Sequence, residues 1–179
     1  TVRAPAVSAK LAAFPWLADD VNEQEAQALR YIDSIARRDI ELLNLTVNFP
    51  WVVDGINEFE RYALQNISAF AARDTPKAKI VAGFPWVTDD ITLSEYNALG
   101  RLADLARKDA ALIAGLVGLG WMADDITDQE RWVLFYLGEA AKQSIALAKS
   151  IATMEFYTGS VEDHDIGALR TLIDLSASD

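Results

Sequence analysis

The sequence predicts an all-α fold, a right-handed α-solenoid of about five helix-turn-helix repeats with a period of 35 residues. The first observation is a Phe-Pro-Trp turn, or a degenerate copy of it, that recurs at this constant spacing. The second is an acidic loop after each turn, and the third is helical spacing of apolar residues after each loop. A constant period of this length is typical of stacked units that share one core.

Composition narrows the class of protein. The chain has 179 residues, of which 51% are hydrophobic, and its formal net charge is −11. This acidic balance argues against nucleic acid as a partner and against binding to anionic membranes. The longest uncharged run, residues 110–123, is too short to cross a bilayer, so we expect no membrane insertion. The lack of cysteine excludes disulfides and thiolate metal sites, and nothing in the sequence indicates a cofactor.

Each unit opens with the turn, whose tryptophans are Trp16, Trp51, Trp86 and Trp121. Exposed indole rings could stack against sugars or aromatic ligands. A regular place at the turn between units favours burial instead, because a large ring there can fill the space between two helical pairs. We therefore predict that the four tryptophans are wedges between neighbouring repeats.

An acidic loop follows each turn, and it carries Asp19, Asp54, Asp89 or Asp124. Each loop ends in Asn/Thr-x-x-Glu, the pattern of a capping box at the start of a helix. The residue before the following Val or Ile is Asp or Gly, which predicts a tight turn with positive φ. The four aspartates are also candidate calcium ligands, but their spacing differs from that of an EF-hand loop, so helix capping is the favoured interpretation.

A long helix A is predicted after each loop, and a shorter helix B after helix A. Asp39, Asp74 and Asp109 stand at the junction and are predicted to cap helix B. The fourth unit has Gln143-Ser144 there, and we expect its two helices to fuse or to bend gently. The predicted single domain 1–179 divides into half unit 5–13, units 14–48, 49–83, 84–118 and 119–153, and half unit 154–179.

The helix-turn-helix repeat resembles the TPR-like α-solenoids, although it lacks the TPR signature and its period is longer by one. The string (F/L)-P-W-(V/L)-x-D-(D/G)-(I/V) is similar to that of bacterial multi-repeat proteins with tandem PWVxDGI-type units. The resemblance covers residues 5–179. It implies a helical repeat fold and a protein-binding or scaffolding role, and it carries no catalytic residues to this chain.

Two sequons, Asn44-Leu45-Thr46 and Asn66-Ile67-Ser68, make Asn44 and Asn66 candidate glycosylation sites. Both asparagines are expected to face solvent, and chance occurrence is the favoured explanation of the two sequons. His164 lies within an acidic segment, but a metal site there would need a second histidine or a partner at helical spacing. The acids around it are explained by the positive end of the helix dipole.

The two ends of the sequence complement each other. Residues 5–13 have the register of a helix B without its helix A, and the C-terminal segment has that of a helix A without its helix B. Two explanations compete: the chain is cut from a longer array, or copies stack head to tail and continue the solenoid as an open filament. The predicted assembly interface consists of Val7, Leu11, Leu172, Leu175 and Asp179.

These observations predict a non-catalytic structural or scaffolding protein that assembles with itself. An extracellular or cell-surface location is favoured, because a chain that starts at Thr1 rather than methionine is typical of a mature secreted protein or an excised fragment. The alternative is a monomeric adaptor that binds peptides or another protein on its concave face. A third alternative is a calcium-dependent binding protein or an enzyme, which would need polar groups that converge within one unit.

Overall fold

The computed structural model describes residues 9, 11–154 and 159–177, and every regular element in them is helical. The all-α prediction is therefore confirmed. Three kinds of helix alternate along the chain. The long helices are α2 (Glu23–Ala36), α5 (Glu58–Ala71), α8 (Leu93–Lys108), α10 (Asp128–Gln143) and α12 (Asp163–Ser176). The short helices are α3 (Ile40–Thr46), α6 (Thr75–Ala82), α9 (Ala110–Leu116) and α11 (Ile145–Ile151). The single-turn helices are α1 (Pro15–Ala18), α4 (Pro50–Asp54), α7 (Pro85–Thr88) and the 3-10 helix η1 (Gly120–Ala123).

The Phe-Pro-Trp segments are these single turns of helix. Proline takes the first helical position in α1, α4 and α7, where its fixed φ suits the helix and its missing N–H is not needed. Gly120 stands in place of proline in the fourth unit, and the turn there is a 3-10 helix.

Capping boxes start the long helices, as the sequence predicts. Asn22, Asn57, Thr92 and Thr127 each accept the backbone N–H of a glutamate three residues on, and that glutamate accepts the N–H of the cap. The four glutamates are buried, and burial raises the pKa of Glu60. Helix α12 uses the same arrangement with Glu162 and Asp165.

The short helices begin at the predicted caps, since Asp39, Asp74 and Asp109 accept backbone N–H groups of the first turn. The prediction of fused or gently bent helices in the fourth unit is wrong. Ser144 has an extended backbone, with φ −155° and ψ 129°, which ends α10, and its hydroxyl accepts the N–H of Leu147 at the start of α11. Serine therefore does in this unit what aspartate does in the others.

The loop before each long helix differs from the predicted positive-φ turn. Among the described residues only Gly55 has a positive φ, at 143°. The aspartates at the corresponding positions in the other units thus keep an ordinary backbone. Their loops do not require the conformational freedom of glycine.

Packing follows the order of the chain. Each long helix packs against the next one, from α2 through α5, α8 and α10 to α12, and each of the first four also packs against the short helix that follows it. Buried alanines such as Ala63 and Ala98 lie on the contacting sides, where small side chains allow close approach. The buried apolar residues of the described chain form one continuous cluster.

Candidate binding surface

The four turn tryptophans are buried, and three of them share one contact. The indole Nε1 of Trp16 donates to the carbonyl oxygen of Val52 at 2.9 Å, that of Trp51 to Val87 at 3.1 Å, and that of Trp86 to Met122 at 2.7 Å. Trp121, the fourth, is 7% exposed. Because ring and N–H are both used inside the protein, these side chains have little surface left for a ligand.

The acidic loops offer no preformed metal centre in the described residues, where no group of three or more His, Asp or Glu is placed to hold an ion. Asp19, Asp54, Asp89 and Asp124 are all exposed. His164 is exposed as well, and it lies 3.7 Å from the Glu162 carboxylate and 3.5 Å from that of Asp165.

The two sequons lie in different surroundings. Asn44 is exposed on α3, as expected. Asn66 is half-buried in the middle of α5 and is thus less exposed than Asn44. The cause is the neighbouring helix α8, which covers one side of α5. The hydroxyl of Ser68 in the same sequon is occupied by Ser34 of α2 at 3.0 Å.

Three residues of the predicted assembly interface lie within the described chain. Leu11 and Leu172 are half-buried and pack against the core, whereas Leu175 is 64% exposed on α12. Val7 and Asp179 lie outside the described residues.

A second set of aromatic residues, which the sequence patterns above do not predict, lies on the solvent side of the long helices α5, α8 and α10. We call this surface the aromatic face; its residues are Phe59, Tyr62, Tyr96, Trp132, Phe135 and Tyr136. The Tyr96 ring of α8 lies 5.2 Å from that of Tyr62 on α5 and 6.0 Å from that of Phe59. On α10 the centre of the Trp132 ring lies 5.3 Å from that of the Phe135 ring. Trp132 is 38% exposed. Large aromatic residues at solvent mark a surface suited to binding.

Arginine side chains stack on this face. The guanidinium carbon of Arg61 lies 3.5 Å from the Tyr62 ring centre, and that of Arg131 lies 4.6 Å from the Trp132 ring centre. Arg101 reaches from α8 to α10, where its guanidinium carbon lies 4.7 Å from the Phe135 ring centre. Such stacking holds both the rings and the cations in place. At the edge of the face, hydrogen bonding by Ser94 and the charge of Arg131 lower the pKa of Asp128.

A cavity of about 290 Å³ opens between α5 and α8 within the aromatic face. Its lining residues are Tyr62, Gln65, Asn66, Tyr96, Asn97, Gly100, Arg101 and Asp104. Gly100 lies beside Asn66 in this lining, where a Cβ would be in ordinary contact with the Asn66 amide nitrogen at 3.4 Å. The volume is close to the lower end of the range found for ligand pockets.

A comparison of equivalent positions could have found this surface in the sequence. Five residues after each helix cap stand Gln27, Tyr62, Asn97 and Trp132, and eight residues after it stand Arg30, Gln65, Gly100 and Phe135. These positions lie between the apolar positions of the stripe and differ from unit to unit. Aromatic residues at such positions serve no recurring role in the fold.

Among the described residues, no helix has the length and apolar character needed to cross a membrane. No family model, curated protein or solved structure matches the chain.

Proposed function

We propose that the chain is an α-solenoid, one helical pair per 35-residue unit, that binds a polypeptide partner on its aromatic face. The solenoid arrangement is supported by the order of packing, in which each long helix contacts the next along the chain. It is supported also by the tryptophan hydrogen bonds, which join equivalent turns of successive units.

The observation that carries the binding proposal is a group of aromatic residues on three adjacent long helices, with exposed members on α5 and α10 and a partly buried one on α8. Trp132 and Phe59 are 38% and 39% exposed, although the same chain buries all four turn tryptophans. Tyrosine, tryptophan and arginine are the residue types that contribute most at protein interfaces. Here all three occur together, with the arginines already stacked on the rings.

We propose further that the protein is not an enzyme. The carboxylates that recur in every unit, Glu25, Glu60, Glu95 and Glu130, accept backbone N–H groups at the helix starts. This capping role accounts for the burial of the four glutamates, so no catalytic role is needed to explain why they recur.

The proposal is tested by selecting displayed random peptides of about 16 residues against the folded protein. We expect enriched peptides that bind in the micromolar range and that lose affinity in the double variant Trp132→Ser, Phe135→Ser. The control is Ile80→Ser on α6, an apolar residue that is 50% exposed away from this face. Failure to enrich any peptide, or equal binding by the double variant, contradicts the proposal.

Head-to-tail assembly is a second candidate, favoured by the 64% exposure of Leu175 on α12. A leucine at the open side of the last described helix is suited to contact another copy. Sedimentation velocity at increasing concentration should then show larger species for the wild-type protein and a monomer for Leu175→Asp. A wild-type protein that stays monomeric at high concentration contradicts this candidate.

A further inference from the structure

We propose that the cavity between α5 and α8 holds an extended polypeptide segment by its main chain. The inference rests on the proposed function and specifies how the aromatic face binds its partner. Four features of the cavity support it. Two side-chain amides form no hydrogen bond with the described residues, and an arginine that only donates lies near an aspartate that only accepts. The aromatic rings of the lining already pack against neighbouring side chains, and one lining residue is a glycine.

The first feature is the pair of adjacent amides on α5. Gln65 and Asn66 are half-buried and line the cavity, and neither side chain forms a hydrogen bond with another described residue. A side-chain amide offers both donors and an acceptor, the same complement as a peptide group. Each can therefore bind one main-chain N–H and one main-chain carbonyl. Asn97 on α8 already donates to the Leu93 carbonyl, which leaves its oxygen as an acceptor.

The second feature is the pair of charged residues in the cavity. Arg101 supplies only donors and Asp104 only acceptors, and the closest approach between them is 3.9 Å. Asp104 also contacts Arg107, so its charge is balanced within α8. Arg101 forms no hydrogen bond with the described residues and is held instead over the Phe135 ring. A main chain, with its alternating donors and acceptors and no net charge, matches this lining.

The third feature distinguishes a polypeptide from a sugar. Stacking of a sugar needs a free aromatic ring face. In this cavity the Tyr62 ring already packs against Arg61 and Tyr96, and the Tyr96 ring packs against Tyr62 and Phe59. The rings therefore act as the walls of the cavity, and the hydrogen-bonding groups between them carry the recognition.

The fourth feature is Gly100, which lies beside Asn66 in the cavity lining. A methyl group there would be in ordinary contact with the Asn66 amide, and a larger side chain would occupy the space that a main chain needs. Gly115 on α9 offers a matched control, because a Cβ at Gly115 meets no atom within 4 Å.

The experiment uses the full chain and the peptides selected for the aromatic face, with dissociation constants measured by calorimetry. Gly100→Leu should weaken binding at least about tenfold, and Gly115→Leu should not change it. Asn66→Asp, which keeps the shape and removes two donors, should weaken it comparably, whereas Asn44→Asp on α3 should have no effect. Circular dichroism and the melting temperature establish whether each variant is folded. If Gly100→Leu does not fold, Asn66→Asp still tests the inference.

Changes in the peptide test the role of the main chain directly. The peptide bonds of the selected peptide are N-methylated one at a time. At one or more positions the change should weaken binding about tenfold, because it removes the N–H donor. Alanine at the same positions should be tolerated. Peptides that depend on Trp132 but not on Gly100, Asn66 or N-methylation would overturn this inference and leave the proposed function intact. Displacement of the peptide by an oligosaccharide that itself fails to bind Gly100→Leu would assign the cavity to sugars and overturn it too.

Discussion

The turn tryptophans and the aromatic face use the same residue types in opposite ways. Trp86 is fully buried, and its indole nitrogen is bonded to the next turn, whereas Trp132 is 38% exposed on a long helix. The first kind recurs every 35 residues, whereas the position of Trp132 holds Gln27, Tyr62 and Asn97 in the first three units, and only one of these is aromatic. The difference teaches that in this chain the recurring tryptophans maintain the fold, whereas the proposed binding surface is built from residues that do not recur.

The comparison is tested most severely by removing one tryptophan of each kind. Trp86→Ala should lower the free energy of unfolding by about 3–5 kcal/mol, since it empties a core site and leaves the Met122 carbonyl without its donor. Trp132→Ala should lower it by less than about 1 kcal/mol and should weaken peptide binding. Urea unfolding measures both. Equal losses of stability in the two variants would show that Trp132 supports the fold as much as Trp86 does, and the comparison would fail.

A second test compares glycine with aspartate at the loop position that precedes the Val or Ile. Gly55→Ala should cost about 1–3 kcal/mol, because φ of 143° with ψ of 158° lies in a region that is essentially restricted to glycine. Asp125→Ala, at the corresponding place two units later, should change stability by no more than about 0.5 kcal/mol. Thermal unfolding of both variants gives the answer. A harmless Gly55→Ala would mean that the loop relaxes to the backbone used by the other units.

The next test concerns a contact that recurs only in part. Asp39 is bonded to Lys79 of the second unit and Asp109 to Lys149 of the fourth, but Asp74 bonds to Lys77 of its own helix. Hydrogen bonding by Lys149 lowers the pKa of Asp109 below its ordinary 3.8. The stabilisation by this charge is fully present above that value and is lost as the pH falls through the lower pKa of the folded state.

The measurement is the melting temperature of the wild type and of Asp109→Asn between pH 6 and pH 2. Asparagine still caps the helix, so the difference reports the charge. The wild type should be the more stable at pH 6, and the difference should disappear at the acid end. In a Lys149→Met background the difference at pH 6 should be smaller. A difference that grows as the pH falls would have the wrong sign and would contradict the assignment.

The smallest effect is expected for calcium. Millimolar calcium should leave the melting temperature unchanged if the exposed aspartates of the loops serve only the helix starts, since a ligand of the folded state would raise it. A rise that is lost in Asp54→Asn or Asp89→Asn would show that the recurring loops bind metal. That result would also break the comparison, because a recurring feature would then have a role beyond the fold.

The sequence predicted the local features of the fold well. The capping boxes and the helix B caps each depend on residues a few positions apart, so their physics can be read without a structure. Ser144 was a missed signal, because serine is a strong helix cap and its place in the register matches Asp109. The loops were predicted less well, since aspartate permits positive φ without requiring it.

The aromatic face is not marked by local signals of this kind. Phe135 and Tyr136 stand between Leu134 and Leu137, which are fully buried, and only comparison with the equivalent positions of the other units separates the two pairs. Which side of a helix meets solvent depends on how the next helix lies against it. The half-burial of Asn66 is another outcome of that packing, and it changed a predicted surface residue into part of a cavity.

The tryptophan hydrogen bonds also bear on how such a chain can change its length. Each indole donates to a backbone carbonyl in the following turn, so the bond needs the right distance along the chain but no particular acceptor side chain. A genetic duplication or loss of 35 codons within the array would therefore leave every remaining donor facing an equivalent acceptor. An insertion or deletion of another size inside a helix would rotate the residues that follow it about the helix axis and would change which backbone group lies opposite an indole. Gene rearrangement can thus vary the number of units while their geometry stays fixed.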